Sequence, residues 1–102
     1  MKIYKYSLPV QGAYTLSLPE WRKLLRVEGQ GELVCLWYLV DDRDDAAKEA
    51  VGFQVFFTGE EVDVDPALMR HGVATLEFLG TAISHEGHIL SHVFEVEEVS
   101  DV

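Results

Sequence analysis

Eight consecutive apolar residues, Leu33–Val40, interrupt a chain that otherwise alternates between apolar and polar side chains. Such a run is far short of a membrane-spanning helix, which needs about 20 residues. In a β-strand successive side chains point to opposite faces, so an unbroken apolar strand needs cover on both sides. The run therefore predicts a central strand over Glu32–Val40. The rest of the 102-residue chain must supply its neighbours and its cover. This length suits one domain, and an apolar share of 48% is enough to fill a core.

The alternation supplies the neighbours. Tyr4, Tyr6 and Leu8 alternate with Ile3, Lys5 and Ser7, and Tyr14, Leu16 and Leu18 alternate with Ala13, Thr15 and Ser17. Pro9 and Gly12 bracket the turn between these two strands, close enough to suggest a hairpin. Pro19–Trp21 reads as a turn and Lys23–Glu28 as a third strand, linked to the central run through Gly29-Gln30-Gly31. The polar stretch Asp41–Ala50 reads as a loop, with room for one helical turn over Asp44–Ala50. Val51–Thr58 is the fifth strand. Asp65 as cap, Pro66 at the first helical position and Gly72 as stop predict a short helix near Pro66–His71. Val73–Ser84 and His88–Val96 are the last two strands, joined at Glu86-Gly87. Gly80 marks a bulge in the first of them. The expected fold is all-β, an antiparallel sandwich or partly closed barrel of about seven short strands with that one short helix. It forms a single domain over 1–102, with 97–102 as a flexible acidic tail.

Charge is segregated along the chain. The net charge is −10. Residues 1–26 carry five basic side chains against the single acid Glu20, for +4. Residues 27–102 carry Arg43, Lys48 and Arg70 against seventeen acids, for −14. This balance argues against a direct grip on nucleic-acid phosphates, which needs a basic surface. The acids gather as Asp41, Asp42, Asp44 and Asp45, as Glu60, Glu61, Asp63 and Asp65, and as Glu95, Glu97, Glu98 and Asp101. The first two groups are the candidate partner-binding acidic patch, on the expectation that they face a basic protein. None has the Asp-x-Asp-x-Asp-Gly spacing of a calcium-binding EF-hand loop. No membrane anchor and no export leader is expected from the opening residues.

Side chains with chemical reactivity are sparse. Cys35 is the single cysteine and lies inside the apolar run, so a buried thiol is expected. Across the expected Glu86-Gly87 turn, His85 and His88 would be cross-strand neighbours, close enough to share a metal ion. His92 would lie roughly 13 Å further along the strand. Two ligands are fewer than a zinc site needs, so no metal and no cofactor is expected. There is no nucleophile elbow and no phosphate-binding loop. Glu77 stands in an alternating strand, and carboxylates do acid–base work only where the fold brings them into one cleft. No catalytic residue is assigned, and an enzyme is not expected. The eleven aromatic side chains are expected mostly in the core, with some apolar surface left over for self-association.

Several segments in order resemble a group of small tailed-bacteriophage proteins of unknown function. They are Lys2-Ile3-Tyr4-Lys5-Tyr6-Ser7-Leu8-Pro9-Val10, Leu16-Ser17-Leu18-Pro19, Leu25-Arg26-Val27-Glu28, Cys35-Leu36-Trp37-Tyr38-Leu39-Val40-Asp41, Thr58-Gly59, Phe78-Leu79-Gly80-Thr81 and His92-Val93-Phe94-Glu95. Together they span most of the chain. The Asp41–Ala50 loop and the Glu97–Val102 end are longer than in that group. The resemblance implies a viral gene product acting in the host cytoplasm or carried in the virion, and it brings no catalytic residues. The expected function is that of a non-enzymatic accessory protein working through protein contacts as a homo-oligomer. An acidic inhibitor of a basic host protein and a minor virion component are the alternatives.

Overall fold

The computed structural model describes residues 1–69 and 73–98. Seven antiparallel strands form two sheets that pack face to face without closing into a barrel. They are β1 (Lys2–Leu8), β2 (Gly12–Pro19), β3 (Arg22–Gln30), β4 (Leu33–Val40), β5 (Lys48–Phe57), β6 (Ala74–Ser84) and β7 (Ile89–Glu98). One sheet has the order β1-β4-β3 and the other β2-β5-β7-β6. The apolar run is β4, at the centre of the three-stranded sheet as its composition demands. Its inward side chains Val34, Leu36, Tyr38 and Val40 meet Phe53, Val55 and Val93 of the opposite sheet, and Leu8 and Leu18 complete the core. Cys35 is buried on the other face of β4, beside the Ser7 hydroxyl.

Four expectations change. β1 and β2 do not form a hairpin, because β1 pairs with β4 and β2 with β5. Pro9 has no N–H to continue a ladder. The Pro9–Gln11 link instead crosses between the sheets, and the Ser91 hydroxyl donates to the Val10 carbonyl at 2.8 Å. The helical turn expected over Asp44–Ala50 is absent, since Lys48 already starts β5. The helix expected near Pro66–His71 is a 3-10 turn over Pro66–Leu68, capped by Asp65, which accepts from Ala67 N at 2.9 Å. Its expected end at His71 and Gly72 lies outside the described residues. The buried Gln54 amide explains why this segment stays flat on the sheet. It donates to Asp63 O at 2.9 Å and accepts from Asp65 N at 2.8 Å, which holds the backbone extended just before the turn. Finally, Glu97 and Glu98 belong to β7 rather than to a tail, and 99–102 lie outside the described residues.

The sheets meet again where β3 runs alongside β6. A methyl group at Gly29 would overlap the Ile83 carbonyl, so the two backbones approach as only glycine permits. One turn further, His85 N donates to Gly31 O at 3.1 Å. Gly80, at the expected bulge, lies under Val27, whose Cβ would stand 3.0 Å from an added Cβ. Substitution separates sterics from backbone conformation here. Gly29→Ala should destabilise the protein by about 3 kcal/mol, through overpacking against backbone that cannot move aside. Gly31→Ala has open space but a φ of 61°, and should cost about 1 kcal/mol, most of it recovered by Gly31→Asn. Urea unfolding of the three variants checks this order.

Candidate functional site

At the opposite end of β3 the inner faces of the sheets are polar. Arg22, the first residue of β3, reaches across to the four-stranded sheet. Its guanidinium donates to Glu49 of β5 at 2.7 Å, to Glu95 of β7 at 3.4 Å and to the Pro19 carbonyl at 3.0 Å. Glu95 has the same parity along β7 as the buried Ser91 and Val93, so it points inward. Its direct cross-strand partner is Glu77, and Glu97 follows on the same face two residues on. Carboxylate oxygens of Glu77, Glu95 and Glu97 lie within 4.8 Å of one another. Like charges this close in a ladder oppose one another unless a proton or a cation intervenes.

A cleft of 290 Å³ opens over Glu77 and Glu95, lined also by Glu20, Arg22, Leu24, Tyr38 and Leu79. Tyr38 enters it from β4. Its side chain is only 2% exposed, and its hydroxyl is buried without a hydrogen-bond partner among the described residues. Burial, reinforced by Glu95, holds the phenol far above its usual range. A larger cleft of 490 Å³ shares Arg22 and Glu95 and continues over Glu49, Leu68 and Glu97.

The electrostatics follow from burial and crowding. Burial pushes Glu95 up, and the neighbouring guanidinium does not fully offset it. A hydrogen bond with Glu77, aided by modest burial and like charge, pushes Glu97 up. Burial opposes the charge on Arg22, but its bonds to Glu49 and Glu95 outweigh that and hold it above its ordinary value.

The positions singled out from sequence are dispersed. Asp41–Asp45 precede β5 and Glu60 and Glu61 follow it, while Asp63 and Asp65 fold back to Gln54 in the middle of that strand. Asp41 is held by Arg43 at 2.6 Å, and Asp42 by the Met1 amino group at 3.1 Å and Lys2 at 3.6 Å. Asp44 and Asp45 are exposed, as are Glu61 and Asp63. Glu60 bonds Gln11 and Phe57 N, and Asp65 caps its 3-10 turn. His85 and His88 are not cross-strand partners. Ser84 pairs with Ile89, and both histidines lie in the turn between, where His88 N donates to His85 O. Positive φ angles at His85, Glu86 and Gly87 build that turn. Both ring nitrogens of His92 are engaged, by the Thr58 and Thr81 hydroxyls at 2.8 and 2.9 Å.

The outer face of the four-stranded sheet is a second feature. Phe56, Phe94 and Phe78 stack edge to face across β5, β7 and β6, with ring centres 5.7 and 5.3 Å apart. Phe78 is 55% exposed, Ile83 57% and Leu90 44%, and Ile83 is the direct cross-strand partner of Leu90.

The chain belongs to a family of domains of unknown function, DUF7352, whose model matches residues 1–101. No curated protein and no solved structure matches it. Family membership therefore assigns no role to the carboxylates or to the apolar face, and both must be read from their physical chemistry.

Stability should depend on pH through the carboxylate group. A carboxyl whose folded-state pKa is raised favours the fold while protonated, and that contribution is lost as pH rises through the raised value. Glu95 and Glu97 are of this kind, whereas Asp41 and Asp42 are held low by hydrogen bonds to Arg43 and to the terminal amine and act oppositely in stronger acid. Without divalent cations, urea unfolding should show stability increasing as pH falls from neutrality to the upper edge of the carboxylate range. The paired substitutions Glu77→Gln and Glu97→Gln should flatten that rise.

Proposed function

We propose that the protein is a non-enzymatic accessory protein that works through protein–protein contact, and that the outer face of the four-stranded sheet joins two copies of the chain. The observation that carries this reading is the uncharged patch of Phe78, Ile83, Leu90 and Phe94, which leaves large apolar side chains in water. Thr81 and His92 lie between the two apolar pairs with their polar atoms bonded to each other, and exposed apolar side chains so grouped mark association sites. A second copy is the fitting occupant because of charge. Two chains at −10 repel, and the side chains of Phe78, Ile83 and Leu90 let them meet through apolar contact instead of charge.

The likeness of the sequence to small tailed-phage proteins supports a viral origin and action in the host cytoplasm. An acidic inhibitor of a basic host protein draws less support, because Asp41 and Asp42 already have cationic partners and Asp65 is used to cap its 3-10 turn.

Sedimentation and light scattering test the reading. The protein should run as a dimer whose stability does not fall with added salt, unlike a charge-driven contact. Ile83→Lys with Leu90→Lys should weaken the dimer roughly 10-fold or more per site, the loss of apolar burial at each, and leave a folded monomer. A wild-type monomer at all concentrations, or a dimer indifferent to both substitutions, overturns it.

A further inference from the structure

We propose that the outer face of the three-stranded sheet docks the acidic segment 60–65 of a second copy, front to back, through charge. This contact is independent of the apolar one on β6 and β7. The face is built by register. Val34, Leu36, Tyr38 and Val40 point into the core, so Trp37 and Leu39 of β4 point out. Residues directly opposite one another in an antiparallel ladder share a face. Trp37 therefore stands between Lys5 of β1 and Arg26 of β3, and Leu39 between Ile3 and Lys23. Ile3 is 60% exposed, and Lys5, Lys23 and Arg26 are all exposed. Arg26 shares its charge with Glu28 at 2.8 Å, and Lys5 donates to the uncharged Gln30 amide oxygen at 2.6 Å. Lys23 has no carboxylate partner among the described residues. On a chain at −10, this face sets Lys5, Lys23 and Arg26 against Glu28 and leaves apolar surface beside them.

The occupant follows from what the chain carries elsewhere. Glu61 and Asp63 are exposed, and Val62 between them is 50% exposed. Neither carboxylate forms an ion pair with a cation of the described residues. The segment thus offers free negative charge and an uncovered apolar side chain, the complement of the basic and apolar face. The fold keeps the two apart within one molecule. Gln54 stands opposite Phe94 on the outer face of the four-stranded sheet, and its amide holds the backbone of Asp63 and Asp65 there. The basic face lies on the far side of the sandwich, so the contact can only join one copy to the next. Such a head-to-tail contact repeats along a series of copies unless a ring closes it. Net charge repels two copies at long range, but where this face meets this segment the local charges are opposite.

Sedimentation velocity tests this on the full chain carrying Ile83→Asn and Leu90→Asn, which removes the apolar contact without adding charge. At about 0.1 M salt a Debye length of about 10 Å screens the net charge and leaves pairs in contact attractive. Concentration-dependent association is expected there, and its loss at about 1 M salt, where the length falls to about 3 Å. In the same background, Lys23→Glu with Arg26→Glu should abolish association, and so should Glu61→Lys with Asp63→Lys. Mixing equal amounts of these two charge-reversed chains should restore it, because each face then meets a segment of opposite sign. A chain that had merely lost its fold could not be rescued in this way. Asp44→Asn with Asp45→Asn, in the β4–β5 loop, should leave association intact. Absence of association in the Ile83→Asn, Leu90→Asn chain overturns the proposal. So does association that persists in either charge-reversed chain, or a mixture of the two that stays monomeric. The salt-insensitive dimer is read on the wild-type chain, so the two contacts stand or fall separately.

Discussion

Backbone meets backbone at Gly29 because no side chain stands between β3 and the Ile83 carbonyl. That contact sets the relation of the two sheets. Along one flank the sandwich is drawn shut at Gly29 and Gly80, and the hydrogen bond from His85 to Gly31 locks the connecting turns together. From there β3 crosses toward β7, so that its first residue, Arg22, lies over Glu95 rather than over the strand its last residues touch. The core fills the space between. At the far end the apolar filling gives out, and the inner faces carry charge.

The polar end is thus a consequence of how the sheets are joined. Inward positions on a strand are ordinarily apolar, yet β7 passes from Val93 to Glu95 and Glu97 without changing face. Arg22 makes this tolerable for Glu95 by bringing a cation and two carboxylate bonds under partial cover. Glu77 and Glu97 have no such compensation from Arg22. The apolar burden has moved to the outer face of the same sheet, where Phe56, Phe78 and Phe94 form their row.

Much of the fold was legible because strand patterning is local. The run Leu33–Val40 announced a central strand, and each alternating stretch became a strand within a few residues of its expected limits. Gly80 marked its bulge for the physical reason that a side chain there would crowd Val27. Pairing was less legible. The short Pro9–Gln11 link looks the same in sequence whether it turns within a sheet or crosses between two. The carboxylate site was hidden for a related reason. Glu95 and Glu97 looked like the start of an acidic tail, and only the register of β7 against β6 sets Glu77 opposite Glu95. One signal was present: Val93, Glu95 and Glu97 share a parity, and this could have placed both glutamates on a core-facing side. The acidic loops drew attention by their density, but density in sequence did not become proximity in space.

The two bulges have a further consequence. One interrupts β3 between Leu24 and Arg26, the other β6 between Phe78 and Gly80, and each lies on an edge strand of its sheet. An even edge offers a template on which strands of other molecules can add without limit. A bulge twists that edge and breaks the regular spacing of its free donors and acceptors. β3 and β6 lie against each other along the flank joined at Gly29, so each bulged edge is covered by the other sheet, while the opposite edges β1 and β2 keep an even register.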